Sequence, residues 1–372
     1  MLSDRHADDF TTHRMKDGRT SMTNQLLERV VVGGVDTHKL THHAAVIDAT
    51  TGKLLADQEF PAKPDGYARM LAWFLERGTI ARIGVEGTGS YGAGLQRHLQ
   101  AHGVTVIEVV RQNQQERRAR GKSDPIDAIN AARATLSDAA TTIPKNRDGF
   151  VEAVRLIRTT RRSAVKARRS TINQIHGVLW SAPEPLRAKL AGYDRAALVA
   201  RCARLRVTDT SEDPAATARR MLRRLARRVQ HLDEEIADAD TELREILTTH
   251  APHLMAMNAV GPEAAGQIIA TAGENIDRIH SEAALARICG VAPIPASSGN
   301  TTRHRLHRGG DRDANSAIHM IVINRLRWHA PTRAYMNRRV TDGKTKKEII
   351  RCLKRAVVRE LYHALQADLL RT

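Results

Sequence analysis

The sequence predicts an α/β domain followed by two helical regions, and three observations lead to that prediction. Residues 29 to about 140 alternate strand-like apolar runs with helical segments, as α/β domains do. Beyond Ala215, apolar residues recur at alternating spacings of three and four, the heptad pattern of a coiled coil. The last part of the chain consists of helical segments joined by Gly-containing turns. We therefore predict four regions: a disordered leader (1–28), an α/β domain (29–145), a helical coiled-coil connector (150–250) and an all-α domain (251–372).

In the α/β domain, five segments have the composition of strands: "RVVVGGVD", "HHAAVIDA", "KLLADQEFPA", "ARIGVEG" and "VTVIEVV". A "TTG" turn joins the second to the third, which predicts a hairpin. The segments "GYARMLAWFLERG" and "GAGLQRHLQAHG" have helical apolar spacing and end at Gly, as helices often do. A hairpin followed by βα units predicts a mixed sheet with helices on its faces.

The connector begins with a long helix over 151–180, which Pro183 and Pro185 end. Between its first and last cations this helix carries seven basic residues and no acid, and we predict that they bind nucleic acid: Arg155, Arg158, Arg161, Arg162, Lys166, Arg168 and Arg169. A second long helix carries the heptad seam: Leu222, Leu225, Val229, Leu232, Ile236, Ala239, Leu243 and Ile246. An ordinary amphipathic helix on a globular core is the alternative for this seam.

The charge balance predicts a polyanionic partner. The chain has 59 Lys and Arg against 41 Asp and Glu, a formal net charge of +18, and neutralising phosphates releases their condensed counterions. Aromatic residues make up only 3%, which argues against a base-stacking platform. Three widely spaced cysteines predict neither a disulfide framework nor a zinc site, and no apolar run is long enough to span a membrane. These features predict a cytoplasmic protein with no membrane partner.

Four carboxylates stand where a metal site would need them. Asp36 and Glu86 each end a predicted strand, while Asp124 and Asp127 lie three residues apart at a helix start and share one face. Such a set suits two Mg²⁺ ions about 3.5–4 Å apart. Each acid has an ordinary alternative, since Asp124 could cap the helix, Asp127 could favour its dipole, Asp36 could solubilise a turn and Glu86 could pair with an arginine. His38 has no comparably clear role.

The short sequence motifs around these acids resemble the DEDD motifs of bacterial insertion-sequence transposases of the one-ten group. The resemblance rests on "GVDTHK", "VEGTGSYG" and "KSDPIDA". It implies a ribonuclease-H-like domain similar to Holliday-junction resolvases, with Asp36, Glu86, Asp124 and Asp127 as Mg²⁺ ligands. On this reading the first strand ends in Asp36 because its carboxylate faces a metal.

The family also carries a serine in its C-terminal domain, and "GVAPIPASSGNTTRHRLHRGGDRDAN" is similar to that region. The resemblance implies that Ser298 is a nucleophile, with Ser297 as the near alternative. The stretch "HRGGDRDAN" departs from the family's Lys-Arg-Gly-Asn, so Arg303, Arg305 and Arg308 are either phosphate contacts or a solvated face. "MNAVGPEAAGQIIA" resembles a helix-hairpin-helix, although a plain helical turn fits it equally well.

The resemblance implies a DNA recombinase that excises and inserts a mobile element. Its partners would be double-stranded DNA at the element ends and target, together with an element-encoded guide RNA. It would work in the bacterial nucleoid as a homodimer or homotetramer, with a site composed of the metals and the serine from one or two subunits. Two other functions fit the residues: a metal-dependent junction nuclease that uses water, and a nucleic-acid scaffold without activity.

Overall fold

The computed structural model describes residues 29–110, 123–207, 212–299 and 304–370. The predicted leader and Arg303 lie outside the described residues. The chain divides into two compact units at Pro144 and Lys145. The predicted connector and C-terminal domain therefore fall in one unit, and their separation into two domains stays a prediction.

The first unit is built on a five-stranded mixed sheet in the order β3-β2-β1-β4-β5. All five predicted strands are present: β1 Val30–Thr37, β2 Thr41–Asp48, β3 Leu54–Pro61, β4 Thr79–Glu86 and β5 Val106–Val109. The first three strands pair antiparallel, whereas β1 pairs parallel with β4 and β4 with β5. This arrangement is compatible with the ribonuclease-H-like domain that the resemblance implies.

Helices cover both faces of this sheet. Helix α1 (Pro64–Leu75) and helix α2 (Ala93–Ala101) bury Phe74 and Leu95 against β-strand residues such as Val35 and Val85. Helix α3 (Asp124–Leu136) lies on the opposite face, where Ala132 packs with Val32 and Ile47. Because alternate strand residues face opposite sides, burial on both faces requires the almost continuous apolar run of β1.

The second unit is helical apart from one short hairpin. In chain order its helices are α4 Gly149–Ser181, α5 Glu184–Leu190, α6 Arg195–Ala203, α7 Pro214–His250, α8 Pro252–Ala256, α9 Pro262–Ala272, α10 Glu282–Ile288, α11 Arg312–Trp328, α12 Ala330–Thr341 and α13 Lys346–Leu369. Strands β6 (Pro293–Pro295) and β7 (His304–Leu306) pair antiparallel within the region that we predicted to be a loop. Helices α5, α6 and α12 are additional to the predicted elements.

Helices α4 and α7 pack against each other along the predicted heptad seam. Arg161 bonds Asp240 at 2.7 Å and Arg168 bonds Asp233, so the order of partners is reversed and the helices are antiparallel. The partners lie seven residues apart on each helix, which is the heptad repeat. The seam residues Leu222, Val229, Leu232 and Leu243 are buried inside the unit. The seam is thus covered by the same chain, and a coiled coil between subunits stays a prediction.

The segment that resembles a helix-hairpin-helix folds as α8, which has only five residues, and α9, and the motif itself stays a prediction. Glu263 stands in the first turn of α9, where a phosphate would be expected to bind, and it is held by arginines of α4. A phosphate-binding role for this hairpin therefore stays a prediction. In the described part of the chain, none of the helices has the length and apolar character that crossing a bilayer demands.

Candidate metal centre and serine hairpin

Two strand ends of the first unit carry the same three-residue pattern. Gly34-Val35-Asp36 lies one residue before the end of β1 and Gly84-Val85-Glu86 ends β4, and the parallel register pairs Gly34 with Gly84 and Val35 with Val85. Both carboxylates therefore reach the same edge of the sheet, on the face opposite the valines. Asp36 is 2% exposed and Glu86 is 5% exposed. Thr37 Oγ1 donates to the Glu86 carbonyl at 2.8 Å and ties the two strand ends together.

The two glycines allow α3 to lie directly on that face. A methyl group at Gly34 would come closer than 3.0 Å to the backbone of Ala128 and Ala132. At Gly84 it would collide with Thr135 Oγ1 and the Ala131 carbonyl. Close approach of helix to sheet thus requires glycine two residues before each strand-ending acid. It brings the first turn of α3 to the edge where Asp36 and Glu86 lie.

The first turn of α3 supplies the other two predicted acids. Asp127 is 7% exposed, whereas the side chain of Asp124 is 44% exposed. Ser123 stands at the N-cap position with extended backbone, and no side chain caps the helix. The alternative in which Asp124 is simply the N-cap is therefore wrong, and its carboxylate is available for another use.

His38 belongs to this centre, although the sequence assigned it no clear role. Its Nδ1 lies 3.7 Å from Asp36 Oδ2 and 3.8 Å from Asp124 Oδ2. One ligand atom from each of the three residues lies within 4.8 Å of the others, a spacing that one metal ion could bridge. The one feature of the sequence that could have indicated a role for His38 is its position two residues after Asp36. In the structure it stands in the turn after β1, where its backbone N–H donates to the Thr41 carbonyl at 3.0 Å.

The donor set fits a divalent cation. Carboxylate oxygens are hard ligands that suit Mg²⁺ and Mn²⁺, and an imidazole nitrogen is accepted by Mn²⁺ and heavier ions. Three of the four acids are almost fully buried, and a bound cation would favour the charged form of their carboxylates. In the part of the chain that the structure describes, Asp36, His38 and Asp124 form the group that could hold it, and Glu86 and Asp127 stay predicted ligands.

Ser298 lies in the second unit, between β6 and β7, where both it and Ser297 are exposed. Gly299 follows with φ +52°, a left-handed conformation that favours glycine, and open space surrounds the position of a Cβ. The Ser-Gly pair therefore reflects a sharp backbone turn that presents the serine to solvent.

The predicted cations of α4 are mostly engaged within the second unit. Arg155 bonds Glu152 at 2.6 Å and Arg162 bonds Asp313 at 2.6 Å, in addition to the pairs of Arg161 and Arg168. Hydrogen bonds to Asp240 and Asp313 raise the pKa of Arg161 and Arg162 respectively. Lys166 and Arg169 are exposed. Most of the positive charge of α4 is therefore offset by acids of the same unit.

Arg158 departs furthest from its predicted role. It is 5% exposed, and its Nη2 donates to Glu263 Oε1 at 2.7 Å and to Gln267 Oε1 at 2.8 Å. Its side chain lies over Gly266, where a Cβ would come within 2.7 Å of Arg158 Cδ. A guanidinium buried in this way packs the helices together, and the prediction that it contacts phosphate is corrected on that ground.

Comparison with known proteins matches both units to one group of enzymes. A family model for DEDD-type IS110 proteins, described as "Transposase", matches residues 33–182, and the model "Transposase IS116/IS110/IS902 family" matches residues 251–337. The chain is also 28% identical over 146 residues to the "Insertion element IS900 uncharacterized 42 kDa protein" of Mycobacterium paratuberculosis. That match covers 38% of this chain and 37% of the relative. From the two family matches, with the acids and the Ser-Gly turn inside them, we conclude that the chain belongs to the IS110 family of transposases.

Proposed function

We propose that the protein is a transposase that cuts and rejoins DNA strands to move its own insertion sequence. The observation that carries the proposal is the pair of Gly-Val-acid strand ends in register, with α3 bringing two further acids to the same edge. The family matches support it, because they cover both the acids and the serine hairpin.

Ser298 is the proposed nucleophile. Its Oγ attacks the phosphorus of a phosphodiester, the bond from phosphorus to the 3′ oxygen breaks, and the strand end is left as a phosphoserine ester. The serine proton leaves to solvent or a nearby base, and the departing 3′ oxygen takes a proton to become a hydroxyl. Rejoining is the reverse, in which a 3′-hydroxyl attacks the phosphoserine and releases Ser298. The energy of the broken bond is thereby conserved.

The four acids of the first unit are proposed to hold Mg²⁺. Bound Mg²⁺ would offset negative charge on the phosphate oxygens and on the attacking and leaving oxygens. Asp36, Glu86 and Asp127 are buried, so their carboxylates are held in place by packing. The side chains of His38 and Asp124 are 38% and 44% exposed, so an incoming phosphate could reach them.

Duplex DNA at the element ends and target is the proposed substrate. An element-encoded RNA as guide, an oligomer of two or four chains and residence in the nucleoid all rest on the resemblance. The net charge of +18 supports a polyanionic partner and does not separate RNA from DNA.

The decisive experiment follows labelled DNA on a denaturing gel. Purified protein is mixed with its RNA, element-end and target DNA, and Mg²⁺, and wild type is compared with Ser298→Ala, Asp36→Ala and the matched control Ser297→Ala. We expect a shifted, protease-sensitive band with wild type and with Ser297→Ala, and its loss in the other two variants. Loss in Ser297→Ala alone would move the nucleophile to Ser297.

A metal-dependent nuclease that uses water is the second candidate, because the buried acids would suffice for it without a serine. It predicts free cut strands, no protein–DNA adduct and full cleavage by Ser298→Ala. If neither adduct nor cleavage forms in the presence of Mg²⁺ with any of these DNA substrates, the chain is a scaffold and the proposal fails.

We further propose that the acids and the serine acting on one phosphodiester can come from different subunits. Mixing Asp36→Ala with Ser298→Ala protein tests this, because each variant retains what the other lacks. Recovery of the adduct band in the mixture supports the arrangement, whereas its absence at every mixing ratio restricts the site to one subunit.

A further inference from the structure

A cleft of about 840 Å³ opens in the second unit beside the hairpin that carries Ser298. It is lined by Ile294 of β6, Arg305 of β7, His307, Arg308 and Arg351 of α13. Arg305 and Arg351 come from separate parts of the chain, so packing of α13 near the hairpin creates this cationic wall. Arg305 and Arg308 were predicted as phosphate contacts, whereas no residue of α13 was.

A second cleft, of about 290 Å³, adjoins the first and shares His307 and Arg308 with it. Its remaining wall comes from Gly309 to Arg312, from the first turns of α11 and from Lys354 of α13. Asp311 is an acid in this wall, and its oxygens are already bonded: Oδ1 to the amides of Asp313 and Ala314, and Oδ2 to Thr271 Oγ1 at 2.7 Å. These bonds hold the Asp311 carboxylate at the N-terminus of α11, where the helix dipole favours a negative charge.

Arg351 lines the first cleft and Lys354 the second, and Lys347 lies one turn before Arg351 on the same side of α13. Lys347, Arg351 and Lys354 are spaced by four and three, so they form a single stripe. The stripe is about 10 Å long at 1.5 Å per residue, and one nucleic-acid strand presents a phosphate about every 3.4 Å along the duplex axis. It is therefore long enough for two or three successive phosphates, which a single small anion would not need.

Other cations of α13 are engaged differently. Arg355 and Arg359 bond Glu282 of α10 at 3.2 and 3.0 Å, which offsets their charge. Lys354 instead donates to Asn315 Oδ1, a neutral acceptor, and Asn315 Nδ2 is held by the Gly290 carbonyl at 2.7 Å. Burial lowers the pKa of Lys354. A half-buried ammonium positioned by a neutral amide is well suited to receive an anion.

We propose that Lys347, Arg351 and Lys354 of α13, with Arg305 and Arg308, form a track that binds the sugar–phosphate backbone of a nucleic-acid strand beside Ser298. The biological use of the track rests on the proposed function, because it would hold the strand that the serine attacks. Contacts of this kind position a strand and read no sequence. The scarcity of aromatic residues, 3% of the chain, agrees with backbone recognition.

The track is tested by the salt dependence of binding, measured on the full chain in EDTA so that no strand is cut. Three ligands of one base sequence are compared: duplex DNA, single-stranded DNA and RNA. Arg351→Gln and Lys354→Gln are compared with Arg359→Gln, which removes an equal charge from the same helix. Thermal unfolding checks that each variant is folded.

For duplex DNA, we expect each track substitution to make the slope of log K against log salt shallower by about 0.9, and Arg359→Gln to leave it unchanged. On single-stranded DNA the expected change is about 0.7. A change confined to RNA would assign the track to RNA and away from the strand that Ser298 attacks. Equal changes in all three variants, or none, would overturn the proposal.

The two proposals fail separately. Normal slopes in the track variants, together with a serine adduct in the cleavage assay, would remove the track and keep the transposase. Reduced slopes without any adduct or cleavage would leave a nucleic-acid-binding track in a protein that does not cut DNA.

Discussion

Helices α4 and α13 are both strongly basic, yet they use their cations in opposite ways. Five of the seven predicted cations of α4 bond acids of the same unit, and Arg158 is buried among them. On α13, Arg351 and Lys354 line open clefts, whereas Arg355 and Arg359 bond Glu282. The comparison teaches that a run of cations predicts a polyanion site only where the fold leaves those cations without acidic partners.

The difference follows from what each helix packs against. Helix α4 lies along α7, which carries Asp233 and Asp240 at heptad spacing, and near α9, which carries Glu263. The side of α13 that carries the track faces the serine hairpin and the start of α11, where the one acid in the described wall caps a helix. Charge balance is therefore a tertiary property of each helix face.

Among substitutions that test the difference between the cations of α4 and α13, Arg158→Ala is expected to have the largest effect. Arg158→Ala should lower the free energy of unfolding by about 2 kcal/mol, because it leaves Gln267 and the partly exposed Glu263 without their cation and opens space over Gly266. Chemical denaturation measures this change. The salt slope of nucleic-acid binding should stay at the wild-type value, and a shallower slope would return Arg158 to the binding surface.

A smaller effect is expected when an acid partner of α4 is removed. Asp233→Asn leaves Arg168, whose side chain is 36% exposed, without its ion pair. The salt slope for duplex DNA should become steeper by up to about 0.9, since a neutralised cation becomes available. The stability cost of losing this surface pair should be about 0.5 kcal/mol. An unchanged slope would place α4 outside the nucleic-acid contact altogether.

The smallest effect concerns Glu282, which neutralises cations of α13. Hydrogen bonds from Arg359 and Arg355 lower its pKa below the usual value of 4.5. A lowered pKa means that its carboxylate stabilises the fold above pH 4.5, and that this stabilisation disappears as the pH falls through the folded-state pKa. Wild type should therefore be more stable than Glu282→Gln at neutral pH.

The stability difference should close as the solution is acidified below pH 4.5, which denaturant unfolding at several pH values would measure. A difference between wild type and Glu282→Gln that persists in acid would mean that Glu282 acts through packing and not through charge.

The acidic centre was the part of the site most accessible to sequence. Gly-Val-Asp and Gly-Val-Glu are local patterns at strand ends, and a parallel sheet brings such ends to one edge whatever the rest of the chain does. His38 could not be assigned in the same way, because its proximity to Asp124 depends on how α3 packs against the sheet. The reason for glycine at positions 34 and 84 likewise becomes clear only when the close packing of α3 on the sheet is known.

The roles of individual cations could not be read from the sequence for a similar reason. Arg161 meets an acid 79 positions away and Arg162 meets one 151 positions away. The strands β6 and β7 were missed because three residues are too few to display a period of two. Long helices with regular apolar spacing, in contrast, were predicted to within a few residues.

The antiparallel pairing of α4 and α7 has a consequence for folding cooperativity. Val154 and Leu247 belong to the apolar core of the C-terminal helices, whereas Ile175 and Ala226 belong to a separate core that α5 and α6 complete. A stem bridged by Arg161–Asp240 and Arg168–Asp233 lies between the two cores.

The core that contains Ile175 and Ala226 is therefore expected to unfold locally as a separate unit, while the core of the C-terminal helices stays folded. In native-state hydrogen exchange, amide protons of α5 and α6 would exchange together and before those of α9 and α13. The second unit would then behave as two folding units joined by a pair of continuous helices.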